Sequence, residues 1–349
     1  MTKQRATLED VARLAGVSLG SASRSLSVPG EVRAVTLERV QRAVAQLGYV
    51  RNGAAQALAS RRTKTIAAIY PTLDNPIFAV SIQSLQQTLW GLGYQLIVAS
   101  HDYKPEREAD LLRAIVERGV DGIVLVGADH ADAVYDLQRQ YHLPCVLSWA
   151  VDDARAEQCV GFSYLDAAQR MASFVIEQGH TRIALCPGVA ASNERVRARI
   201  QGTRAAMSVH GLTLRDEWIV EGPFTFDGGR DAIARLFQTD DRPTALICGT
   251  DIQAVGAIGE CRDRGIRVPD DLSITGSDDI ELASLVEPRL TTVHVPTAEI
   301  GRLSAARIVD LIEGRPTGAA TRLQTTLVQR KSLRRLEQHS SGSNKEQTT

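Results

Sequence analysis

The sequence predicts a small all-helical head followed by a two-lobed α/β body built on doubly wound parallel sheets. Three observations predict it. In the first 50 residues, apolar positions recur at helical spacing in three short stretches. From Thr65 onward, short apolar runs alternate with helical stretches, and the runs begin about every 23 to 37 residues, the spacing of βαβ units. The third observation is charge. Residues 1–64 hold eleven Lys+Arg against four Asp+Glu, while the remaining chain holds 29 against 37, so a net charge of −1 hides a basic head on an acidic body. Such a head is either a solvated arm or a nucleic-acid footprint. With 44% apolar and 23% charged residues in 349, the chain has ample material for a core. It has no run of the roughly 18–20 apolar residues that span a bilayer. The opening MTKQRATLED lacks a signal-peptide core, so a cytoplasmic location is expected. Five scattered cysteines without a CxxC pair read as buried thiols, not as a zinc site or a disulfide frame.

Taken in order, Thr7 can cap a first helix with Leu8, Val11, Ala12 and Leu14 on its buried side. Ala15-Gly16-Val17 makes a tight turn, and Ser18 can cap a second helix to about Leu26. Val40, Ala43, Val44 and Leu47 mark a third helix ended by Gly48. Asn52 can cap a short fourth helix from Gly53 to about Ser60, marginal alone in water. The strands expected next are Ile66–Tyr70, Gln95–Ser100, Gly122–Val126 and Cys145–Trp149. A second series follows at Arg182–Cys186, Trp218–Glu221, Thr244–Cys248 and Leu272–Thr275. Gly93, Gly119, Gly179, Gly211 and Gly265 close the intervening helices. These boundaries give a head (1–50), a hinge and linker (51–64) and a body (65–333), with a structureless tail at 334–349. The body divides near Val160 into lobe 1 (65–160 plus 293–322) and lobe 2 (161–292 plus 323–330).

LEDVARLAGVSLGSASRSL, at residues 8–26, fits a helix-turn-helix: Ala12 is small where two helices cross, and Gly16 suits a positive φ. A second helix of this kind lies in the major groove with its first residues at base edges, which exposes Leu19, Gly20, Ser21 and Arg24. This motif, the third helix ending LGY, and RNGAAQALASRRTKTIAAIYP resemble the LacI/GalR family of bacterial transcription regulators. The likeness continues in family order through Asn75-Pro-Ile-Phe78, Val120-Asp-Gly-Ile123, Gly179-His-Thr-Arg-Ile183, Thr250-Asp-Ile-Gln-Ala254, Ser273-Ile-Thr-Gly-Ser-Asp-Asp279 and Leu290-Thr-Thr-Val293.

The resemblance implies a periplasmic-binding-protein-like body with an effector between its lobes. It also implies a homodimer or higher oligomer on near-palindromic double-stranded operator DNA, and a linker that becomes a hinge helix there. Ser18, Leu19, Gly20, Ser21, Arg24, Asn52 and Leu58 are then the DNA-binding residues. Leu19 and Gly20 stand where operator preference is set, and Leu58 matches a leucine that wedges into the minor groove. Arg33 departs from a common Ser cap. For the effector, similarity places Asp74, Asn75, Phe78, Trp149, Phe162, Arg195, Arg199, Phe224, Asp251 and Asp278 in or near the cleft. Asp251 and Thr250 can equally cap the helix that follows. Trp149, Ser163-Tyr164 and Ser277 depart from the usual residues.

Carboxylates, guanidiniums and aromatics together suit a small hydroxylated metabolite, with a sugar or sugar acid favoured. Arg195 and Arg199 can both face the ligand and suit an acid. Alternatively Arg195 points to solvent and Arg199 pairs with Asp278, which leaves a neutral-sugar site. No nucleotide cradle, HExxH or GxSxG occurs, and neither a cofactor nor a metal is expected. A transport solute-binding protein and an α/β enzyme are the disfavoured alternatives. The expected function is that of an effector-controlled DNA-binding regulator, a repressor and not an enzyme.

Overall fold

A computed structural model describes residues 6–51 and 62–337. The chain forms two compact units, Met1–Lys64 and Thr65–Thr349.

The head is built on local signals. Helix α1 (Leu8–Ala15) begins with a capping box: Thr7 accepts from the Asp10 N–H while the Asp10 side chain accepts from the Thr7 N–H. It ends at Gly16, whose φ of 63° needs no Cβ. Helix α2 (Leu19–Ser27) is capped by Ser18, which accepts from the Ser21 N–H at 3.2 Å. Helix α3 (Ala34–Leu47) starts after Arg33 with no side-chain cap, so the departure there leaves the helix intact. Val11, Ala12, Ala15, Ala22, Val40 and Ala43 form the core. The short helix expected over 53–60, with Asn52 and Leu58, lies outside the described residues.

In the body, a six-stranded parallel sheet has the order β10-β5-β4-β3-β1-β2. Its strands are β1 (Thr65–Tyr70), β2 (Gln95–Ser100), β3 (Gly122–Val126), β4 (Cys145–Ser148), β5 (Cys159–Gly161) and β10 (Thr321–Arg322). Ile66, Ala68 and Tyr70 pack on one face, and Ala67 and Ile69 on the other. Burial on both faces is why these strands read as unbroken apolar runs. Helices α4 (Pro76–Gly91) and α11 (Thr297–Ile312) supply Leu85, Leu89, Ile300 and Ile308 to the first face. Helices α5 (Glu108–Glu117) and α6 (Asp132–Gln140) supply Leu112, Ile115, Val134 and Leu137 to the second.

The second sheet pairs β6 (Ile183–Cys186), β7 (Ala245–Cys248) and β8 (Ser273–Thr275) in parallel. With it pack helices α7 (Tyr164–Glu177), α8 (Glu194–Val209), α9 (Phe226–Leu236) and α10 (Asp251–Asp263). An antiparallel pair, β9 (Thr292–His294) and β11 (Thr326–Val328), lies where the chain passes between the lobes.

Three expectations change. Leu14, expected on the buried side of α1, is exposed, because the α1 core face is formed by Val11, Ala12 and Ala15. Trp218–Glu221 is not a strand: a 3₁₀ turn covers Asp216–Trp218, and only Ile219 bridges to Leu185, because Gly222-Pro223 ends the run. Residues 334–337, expected to open a structureless tail, are held instead. The Arg334 N–H donates to Ser273 Oγ and the Leu336 N–H to Gln178 O. All five cysteines are buried free thiols, and burial pushes those of Cys145, Cys186 and Cys261 up to about 12. His180 is structural, tied to Thr244 and the Arg334 carbonyl.

Helices α9 and α10 cross so closely that a Cβ on Gly229 would lie 1.9 Å from the Gln253 carbonyl oxygen. Helix propensity alone would make Gly229→Ala stabilising by up to about 1 kcal/mol. The overlap reverses the sign: a loss of about 1–3 kcal/mol is expected. Urea unfolding measures it, and an unchanged or raised midpoint would show that the crossing can relax.

Candidate functional site

The head offers a surface. Leu19 is 47% exposed although it opens α2. A Cβ at Gly20 would touch nothing within 4 Å, so the helix start is open to close approach by a partner. Arg24 is exposed one turn on, Ser18 is exposed, and Ser21 is half-buried with its Oγ 2.9 Å from that of Ser18. The α2 face away from Ala22 and Ser25 thus presents an apolar side chain, bare backbone, hydroxyls and a guanidinium, the groups that contact base edges and phosphates.

The body offers a cluster of aromatic and charged side chains beyond the strand ends. In sheets of the order 2-1-3-4-5, ligands lie beyond the carboxyl ends of the strands. Asp74 and Asn75 follow β1, Trp149 follows β4 and Phe162 follows β5. Across from them, Arg195 and Arg199 lie in the first turns of α8, Phe224 precedes α9, and Asp278 follows β8.

The structure joins many of these residues. Phe78 meets Tyr70 and Trp149 edge-on, at centroid distances of 5.4 and 5.3 Å, and Trp149 lies 6.5 Å from Phe162. Trp149 is buried with a φ of 60°, and its indole Nε1 has no hydrogen-bond partner among the described residues. Arg199 lies over the Tyr164 ring at 4.7 Å and near that of Phe224 at 5.7 Å. Phe224 in turn lies 5.5 Å from Tyr103. Asp278 is buried with Oδ2 unpartnered, and its carboxyl is pushed well above the usual range by burial and then by Asp251, with Arg199 opposing. Burial weakens the proton affinity of Arg199, yet a guanidinium keeps its charge in proteins.

Three expected residues sit differently. Asp74 is exposed, its N–H bonded to Thr72 Oγ1. The Asn75 side chain caps α4, accepting from the Ile77 N–H. Asp251 is fully buried, and its carboxylate accepts from the Thr292 hydroxyl and the Ile280 N–H, so it braces the loop that carries Asp278. Thr250 caps α10.

Sequence reasoning missed Tyr103 and Tyr164, whose hydroxyls feel the charges of Arg195, Arg199 and Asp278. The break from the usual Asp-Asn pair at 163–164 pointed to Tyr164. Nothing local singles out Tyr103.

Burial raises the Asp251 carboxyl from 3.8 to about 6. The fold therefore favours the protonated form. That contribution is complete below about pH 4 and is lost as pH rises through about 6, an effect of about 1–3 kcal/mol. Asp251→Asn removes the titration, so wild-type stability minus variant stability is expected to fall by that amount from pH 4 to 7.5. Asp278 titrates in the same direction and is itself pushed up by Asp251, so the difference reports Asp251 together with its coupling to Asp278. Denaturant melts across pH check it, and a flat difference would mean that ionisation costs the fold nothing.

Residues 7–52 match the family described as bacterial regulatory proteins, lacI family, and residues 172–333 match a periplasmic binding protein-like domain. Catabolite control protein A of Priestia megaterium is 32% identical over 298 residues, 85% of this chain and 90% of its own. The ribose operon repressor of Escherichia coli (strain K12) is 33% identical over 323 residues, 92% and 97% of the two chains. Among solved structures, a Lac repressor dimer bound to operator and the anti-inducer ONPF superposes with a TM-score of 0.85 at 25% identity, covering 95% of this chain and 100% of that one.

Proposed function

Because this chain belongs to the lacI family of bacterial regulatory proteins and is a DNA-binding transcriptional repressor, we propose that a small hydroxylated metabolite, a sugar or sugar acid, binds between its lobes and sets its affinity for operator DNA. The carrying observation is that three buried polar atoms lack partners, Trp149 Nε1, Arg195 Nη1 and Asp278 Oδ2, on residues grouped about the Phe162 and Tyr164 rings. A buried polar atom without a partner costs about 1–3 kcal/mol, which a hydroxylated ligand would relieve. In this reading Phe78, Phe162 and Phe224 wall the site, Arg199 and Asp278 hold the ligand, and Asn75 and Asp251 hold the loops. The α2 face with Leu19, Gly20 and Arg24 reads the operator, and the Asn52–Leu58 region supplies the hinge.

The active form is a dimer. The edge strand β2 and the adjacent α4 leave Ile97, Val80 and Trp90 exposed, Trp90 at 69%, and a second copy would cover them. Two linked heads on two half-sites then bind far more tightly than one.

Fluorescence anisotropy with a DNA site selected from random oligonucleotides tests the function, titrated with and without sugars and sugar acids. Specific binding that changes with one class of metabolite is expected. Binding that no metabolite alters would remove effector control, and sedimentation as a monomer would remove the dimer.

A further inference from the structure

We propose that the ligand of the cleft is a hydroxylated acid whose anionic group seats against the Arg195 guanidinium. The proposal rests on the cleft reading above and names the ligand's charge. Arg195 Nη1 is buried without an acceptor, and neither Arg195 nor Arg199 forms an ion pair among the described residues. Glu194 is the acid next to Arg195 in the chain. Its Oε1 is occupied by the Ala128 N–H at 2.8 Å, and it lies beside Gly127, where an added Cβ would meet both Glu194 Oε1 and Arg195 Nη1. Asp278, the acid nearest Arg199, has one buried oxygen unpartnered.

The other groups facing Arg195 add no negative charge. Tyr103 and Tyr164 are neutral phenols near neutral pH, the Tyr164 hydroxyl being raised by burial. His101, whose Nδ1 is also buried without a partner, has its pKa lowered by burial and so stays uncharged near pH 7. Glu194 and Asp278 are the carboxyls beside these two guanidiniums; burial favours the protonated form of Asp278, and Arg195 Nη1 is left without an acceptor. A buried cation is tolerated when an opposite charge with matching donor geometry meets it, and the guanidinium fork matches a carboxylate. A neutral sugar would offer hydroxyl acceptors and no opposite charge.

The test is calorimetry on the full-length protein at pH 7.5, with five- and six-carbon aldonates against the parent aldoses and the corresponding lactones. An aldonate is expected to bind about a hundredfold tighter than its aldose or lactone. Arg195→Gln should weaken the aldonate about thirtyfold or more and the aldose, which loses a hydrogen bond and no charge contact, by a clearly smaller factor. Arg195→Lys, which keeps the charge without the fork, should fall between. Thermal melting shows that both variants fold. An aldose or lactone binding as tightly as the acid overturns the proposal and leaves the cleft reading standing. So does an aldonate whose affinity survives Arg195→Gln. Absence of heat from every compound removes the cleft reading, and the proposal with it.

Discussion

Replacing Arg199 with alanine is expected to weaken the effector by about 2–5 kcal/mol, the usual cost of removing one partner of a buried charged contact. Two features combine in that cost. The guanidinium lies on the Tyr164 ring and near Phe224, so its loss also removes an aromatic-stacked wall. It is also the cation that opposes the upward push of burial on the Asp278 carboxyl, so without it Asp278 more readily binds a proton. The variant should lose effector affinity and keep its ligand-free operator affinity, because the operator-reading residues lie in the other compact unit. Calorimetry with the ligand, and anisotropy with DNA, read the two separately. If affinity for the ligand stays within about threefold of wild type, Arg199 does not contact it and the assignment of the cleft fails.

Leu58→Ala is expected to weaken operator binding by about tenfold to a hundredfold while leaving random-DNA binding nearly unchanged. An apolar side chain inserted between base steps unstacks them at a cost of about a few kcal/mol, which is repaid only where the kinked duplex makes further contacts. Random DNA gains no such contacts, so the wedge matters only on the operator. Arg62 and Lys64 are expected to act differently. Exchanging either for a neutral residue should lower affinity on every sequence and reduce the slope of binding against salt, as loss of a phosphate contact does. Equal losses on operator and random DNA for Leu58→Ala would eliminate the wedge.

The head was legible in the sequence because its determinants act within one helical turn. The Thr7–Asp10 capping box, the left-handed Gly16 and the Ser18 cap are all interactions between residues no more than four apart. The strands of the first sheet were legible for a related reason: buried on both faces, they are written as continuous apolar runs, and β2 and β3 have the expected ends. The Trp218–Glu221 run carried the same local signature and failed. A strand needs neighbours, and here only Ile219 finds one.

The site was legible by residue type and not by role. Asp251 reads from the chain as either a cap or a ligand. Only folding brings Thr292, 41 residues away, and the Ile280 N–H onto its carboxylate and makes it a brace. Tyr103 carries no local mark, yet the parallel order of the strands sets the loop after β2 against Phe224 of the other lobe. The sequence by itself determined the helices, the sheet class, the family and the two arginines at the start of α8. The tertiary structure decided which polar atoms are left without partners, because satisfaction of a buried group depends on segments dozens of residues apart arriving at one place.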